Sequence, residues 1–272
     1  MGAMNRNRVP AELIYQIASL LLAFILVHGA YVTVIRPAAE TFIEQERRLM
    51  AQNPDHQERR SFYVVLKDYE QEACIVLMLW ALAIMGWKAA FVWRQQKQLG
   101  QDLLKLPEGL PIGPEDTREL TARLDELPEP ARNYLLPRAL RVAIQRFAAT
   151  RNVHDAATAV RDICDSEAER QEAELSIIRY IAWAIPSVGF IGTVRGIGQA
   201  LSQANRAVEG DITGVTQSLG VAFNSTFIAL VLSIVLMFFI HQLQLMQERL
   251  VLDTEEYCDA SLISRMRTRP IN

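Results

Sequence analysis

Cysteine and histidine are scarce in this chain, three of one and four of the other among 272 residues. Cys74, Cys164 and Cys258 are widely spaced, odd in number and form no C-x-x-C pair, so they specify neither a disulfide framework nor a zinc site. His28, His56, His154 and His241 build no H-x-x-x-H or H-E-x-x-H pattern, and no metal or cofactor is expected. A balance of 28 Lys+Arg against 31 Asp+Glu, net −3, leaves no basic footprint for nucleic acid. No P-loop and no nucleophile–base arrangement is legible. Gly196-Ile197-Gly198 is half a dinucleotide fingerprint, without a preceding strand or third glycine, so an enzyme is disfavoured.

Charge itself is absent over long stretches, and this decides the class. Leu13–Ile35 runs 23 residues and Ile212–Gln247 runs 36 without Asp, Glu, Lys or Arg. The first would be about 35 Å long as a helix, enough to cross a hydrocarbon core with some tilt. Ala73–Trp93 holds one charge, Lys88, flanked by Trp87 and Trp93 as where aromatic rings and a snorkelling ammonium meet the headgroups. Ser176–Gln203 is broken only by Arg179 and Arg195. The expectation is an all-α polytopic membrane protein with four transmembrane helices, at residues 13–35, 73–93, 176–203 and 213–242.

The remainder divides accordingly. Residues 36–72 form a highly charged loop, 94–175 a polar helical domain, 204–212 a short turn, and 243–272 a helix and tail ending in Arg265, Arg267 and Arg269. Pro-Gly punctuation at Leu106–Pro114 and a break at Leu127–Pro130 precede two stretches of helical periodicity, Ala131–Thr150 and Asp155–Glu174. Asp155 can cap the second, which then passes without Gly or Pro into the third span. Positive charges near the membrane balance on the two sides, with Arg6 and Arg8 on one and Arg59 and Arg60 on the other, so they do not decide orientation. An even number of spans places both termini and the middle domain on one side.

The third and fourth spans depart from plain lipid-facing helices. Gly189, Gly192 and Gly196 recur at i, i+3 and i+7 after Pro186, a small-residue seam on which another backbone can approach closely. Ala222, Thr226, Ala229 and Ser233 recur at helical spacing on the fourth, with Ser225 beside them. Such a stripe suits either a narrow wet passage or a partner helix, and each hydroxyl has the alternative of bonding its own i−4 carbonyl. Arg195 is costly in a membrane, so it faces a cavity, a carboxylate or the interface, or else the span ends near Val194 and Arg195 stands at headgroup level. No Asp or Glu lies inside any expected span. The usual proton-carrying group should then be sought on another chain. Asn224-Ser225-Thr226 spells a glycosylation sequon that a membrane-embedded position makes unreachable.

Gly189–Leu201 (GFIGTVRGIGQAL) and Leu219–Ile234 (LGVAFNSTFIALVLSI) resemble the paired core helices of the MotA/TolQ/ExbB proton-channel family, over about 60 residues from Ile185 to Gln242. The resemblance implies a multi-pass protein of the bacterial inner membrane, with termini and middle domain cytoplasmic and residues 36–72 and 204–212 periplasmic. It implies a pentamer whose lumen holds a dimer of a single-span ExbD/TolR/MotB-like partner carrying an intramembrane aspartate, a motor driven by proton motive force. By motif position Thr193 and Thr226 are its lumen-lining hydroxyls, joined by Ser225 and Ser233, while Pro186, Gly189, Gly192, Gly196, Ala222 and Ala229 pack helices. Arg195 stands where the family often has a bulky apolar residue, and it would answer an acid on the partner or tune ion access. Four spans match the flagellar stator branch, whereas the G-T-V core is closer to the TolQ/ExbB branch. The alternative of another class is a membrane scaffold or sensor that recruits soluble proteins through its helical domain and moves no ions.

Overall fold

Apolar runs too long for a soluble core become helices because a lipid-facing backbone must satisfy every N–H and C=O internally. The computed structural model describes residues 8–52, 61–104 and 111–267. Arg6, His56, Arg59, Arg60, Arg269 and the Leu106–Leu110 part of the Pro-Gly segment lie outside the described residues.

Helix α1 (Arg8–Ala30) passes through a π-helical turn, Tyr31–Ile35, into α2 (Arg36–Gln52). The Arg36 N–H donates to Tyr31 O, the i−5 bond that defines the turn. Helices α3 (Phe62–Leu66), α4 (Tyr69–Leu99), α5 (Thr117–Asp125), α6 (Glu129–Arg132), α7 (Leu135–Thr150), α8 (Val153–Glu174), α9 (Ser176–Ser202), α10 (Ala204–Val208) and α11 (Thr213–Ser261) follow. Among the described residues no strand forms. One isolated bridge joins Ile112 to Met266, with Ile112 N–H donating to Arg265 O at 2.8 Å.

Four helical stretches are long and apolar enough to cross a membrane: Glu12–Met50, Tyr69–Leu99, Val153–Ser202 and Thr213–Arg265. They expose Ile14, Ile25, Phe190, Val194, Phe223 and Ile234, an apolar surface suited to lipid or to neighbouring helices. The protein is all-α and polytopic.

The chain divides into two compact units. The first, residues 1–85 and 177–240, is tied together by side chains reaching between helices. Tyr15 donates its hydroxyl to Ala83 O at 3.0 Å, Trp80 its indole N–H to Gln16 O at 2.9 Å, and Cys74 its thiol to Ile185 O at 3.5 Å. The second, residues 86–176 and 241–272, has a core in which Leu124, Leu140, Ile144, Phe147, Val160 and Leu262 are fully enclosed. Gln95 Oε1 accepts the orphan N–H of Leu135 at 2.8 Å, capping α7 from outside.

Two local expectations change. Lys88 does not snorkel: it is buried and its ammonium donates to Glu174 Oε2 at 2.8 Å, because an ion pair with α8 is at hand, while Trp87 and Trp93 stay exposed. The cap of α8 is Asn152, whose side chain accepts from His154 N at 2.9 Å, and Asp155 lies in the first turn instead. The passage from α8 to α9 keeps right-handed helical backbone through Leu175, so the two run on as one stretch, Val153–Ser202, as expected.

Candidate functional site

Helices α9 and α11 meet along the small-residue faces of both. A methyl group added at Gly196 would stand 2.7 Å from Ala222 N and from Ser218 O, one at Gly192 would stand 2.5 Å from Ser225 Cβ, and one at Gly189 would overlap Ala229 Cβ. Only glycine allows this approach, and the seam places Gly189, Gly192 and Gly196 against Ala229, Ser225 and Ala222. Ala222, Ser225 and Ala229 are all buried there.

The close approach brings two hydroxyls together. Thr193 Oγ1 and Thr226 Oγ1 are hydrogen-bonded to each other, 33 residues apart in sequence. Ala222 O lies 3.1 Å from Thr193 Oγ1 and Gly189 O 3.3 Å from Thr226 Oγ1, so whichever hydroxyl accepts in the pair can give its own proton to its carbonyl. Both side chains are half-buried, so one side of the pair stays open. A hydroxyl pair of this kind can donate to a carboxylate or hold a water, and cannot itself carry charge.

The two serines expected beside them do other things. Ser225 is 1% exposed, turned into the seam against Gly192, and its hydroxyl bonds Val221 O at 2.9 Å. That face is the packing face, so Ser225 belongs with the glycines and not with an open stripe. Ser233 donates to Ala182 O at 3.3 Å. Pro186 lies within α9 and has no N–H, so Ala182 O lacks its i+4 donor, and Ser233 on α11 replaces it.

Arg195 meets a carboxylate of its own chain. Its Nε and Nη2 donate to Glu70 Oε1 and Oε2, both at 2.7 Å, and Nη2 stands 4.0 Å from Asp68 Oδ1. The fork geometry fits a carboxylate bidentately. Arg195 thus has a carboxylate within its own chain. On the other side of the same turn, Glu72 accepts from Arg36 and pairs with His28 Nδ1 at 2.7 Å. Glu70 and Glu72 are two residues apart, hence on opposite faces of α4, and each grips a different helix.

These acids were outside the span expected at 73–93, but α4 begins at Tyr69 and both are buried. Glu70 lies against Gly192, ten residues or about 15 Å inside the end of α9 at Ser202. Counting acids only within apolar runs missed them. The available signal was Arg195 itself, which needs a counter-ion, and the E-Q-E triplet abutting Ala73.

Residues 131–256 match the model of the MotA/TolQ/ExbB proton channel family. Over this stretch the chain is similar to that family. No curated protein and no solved structure matches it. The match takes in α7 to α10 and α11 as far as Glu256, so the MotA/TolQ/ExbB region contains the whole glycine seam and the Thr193–Thr226 pair. The π-helical turn and the α4 acids lie outside it. The family so matched is one of proton channels.

Proposed function

We propose that the chain is the channel subunit of a proton-driven motor of the bacterial inner membrane. Copies assemble as a pentamer around a dimer of a single-span partner, and the partner's intramembrane aspartate carries the proton. The observation supporting this reading is the Thr193–Thr226 hydroxyl pair on two helices whose expected membrane spans, 176–203 and 213–242, contain no acid. Hydroxyls placed so can hydrogen-bond a carboxylate in either protonation state, accepting from the acid and donating to the anion, which suits a site a proton must enter and leave. The membrane potential supplies about 2.3 kcal/mol per charge per 100 mV.

The test is proton flux through the co-purified complex in proteoliposomes. Thr193→Val and Thr226→Val should each lower flux about tenfold or more, the equivalent of about 1.4 kcal/mol, with the complex still assembled. The double variant should lose little more than either alone, since the two share one hydrogen bond. Undiminished flux in both single variants contradicts the assignment.

A further inference from the structure

Around the start of α4 there are more polar groups than the ion pairs satisfy. Arg195 is committed to Glu70 by two bonds of 2.7 Å, which leaves Asp68 Oδ1 at 4.0 Å from the nearest guanidinium nitrogen. Asp68 Oδ2 is buried with no hydrogen-bond partner among the described residues. The Tyr31 hydroxyl is equally unpartnered, in a side chain 1% exposed, and stands within electrostatic reach of both Glu72 and Asp68. Arg36 lies between the aromatic rings, 5.6 Å from the Tyr31 centroid and 4.4 Å from that of Tyr69. His28, stacked on Phe24 and half exposed, pairs with Glu72 at the margin of this network.

We propose that Asp68 is a proton-binding group carried by this chain, so that the residues leading into α4 form a proton-loading site beside the seam bearing Thr193 and Thr226. Hydronium gives its proton to Oδ2 and leaves as water. The buried anion is neutralised, and an acceptor without a donor becomes a donor. The surroundings favour this form. Burial, the largest influence, raises Asp68 above the usual carboxylate range; Lys67 and Arg195 oppose it, Glu70 adds to the rise, and Arg36 opposes. Glu72, Cys74 and Tyr31 are the other titratable groups of this neighbourhood. Only the use made of the proton rests on the channel reading.

Infrared titration of the full-length chain in nanodiscs reads the site without any flux. The wild type should show the carbonyl stretch of a protonated carboxylic acid that fades as pH rises, and Asp68→Asn should lack it. Glu70→Gln removes a like charge and releases Arg195 to Asp68, so the midpoint should move to lower pH. A folded Asp68 that holds its proton above the ordinary value of 3.8 destabilises the native state as pH climbs past 3.8. Asp68→Asn should therefore raise the unfolding temperature at neutral pH, with the gain disappearing on acidification. An absent band, a band retained in Asp68→Asn, or a midpoint unmoved by Glu70→Gln overturns the proposal. Unchanged proton flux in the Asp68→Asn complex overturns the loading role. A wild-type complex that conducts nothing defeats the channel reading instead, and the band still decides Asp68.

Discussion

Pro186 illustrates how one residue's defect is another's role. The missing N–H leaves Ala182 O without its helical donor, and a buried carbonyl so deprived costs about 1–3 kcal/mol. Ser233 Oγ, 3.3 Å away on α11, meets that need. Ser233→Ala should then destabilise the purified chain by about 1 kcal/mol in wild type and by almost nothing in a Pro186→Ala background, where the intrahelical bond returns. A thermal double-mutant cycle in detergent checks it, and equal losses in both backgrounds would show that Ser233 acts elsewhere. The spacing of Ser233 with Thr226 was legible in the sequence, whereas its partner was not. A carbonyl 51 residues away has no sequence mark except the proline that frees it. Arg195 carries the same lesson, since its costliness was plain and Glu70, 125 residues distant, was not.

Glycine positions distinguish the two faces of α9. A methyl at Gly196 meets backbone atoms of α11, which cannot swing aside as a side-chain tip would, so the helices must part. Gly196→Ala should cost about 1–3 kcal/mol. Gly198, two residues on, has nothing within 4 Å of the same added carbon. Gly198→Ala should be neutral or stabilising, by up to about 1 kcal/mol from helix propensity alone. Unfolding temperatures of the two variants decide the matter, and a reversed order would refute the seam. The i, i+3, i+7 rhythm made this seam readable because close packing between membrane helices demands small residues at helical spacing. Helix ends were less readable. Asn152 displaced Asp155 as the cap of α8, both being good capping residues, and the π-helical turn at Tyr31–Ile35 lies within an unbroken apolar run where composition gives no sign of it.

Across the whole molecule, apolar run length anticipated four membrane-capable stretches, and two short motifs anticipated the family resemblance over Ile185 to Gln242, which the match extends to residues 131–256. The acids at the head of α4 refine that picture, for they belong to the membrane-capable helix and yet are held by Arg195, Arg36 and His28. In the proposed motor the translocating carboxylate belongs to a partner chain, and this chain supplies the hydroxyls that receive it and the loading group Asp68. The most direct measurement is proton flux into vesicles containing the chain alone, the chain with its single-span partner, and the chain with a partner whose intramembrane Asp is replaced by Asn. Flux is expected only in the second preparation. Equal flux from the chain alone would contradict that expectation.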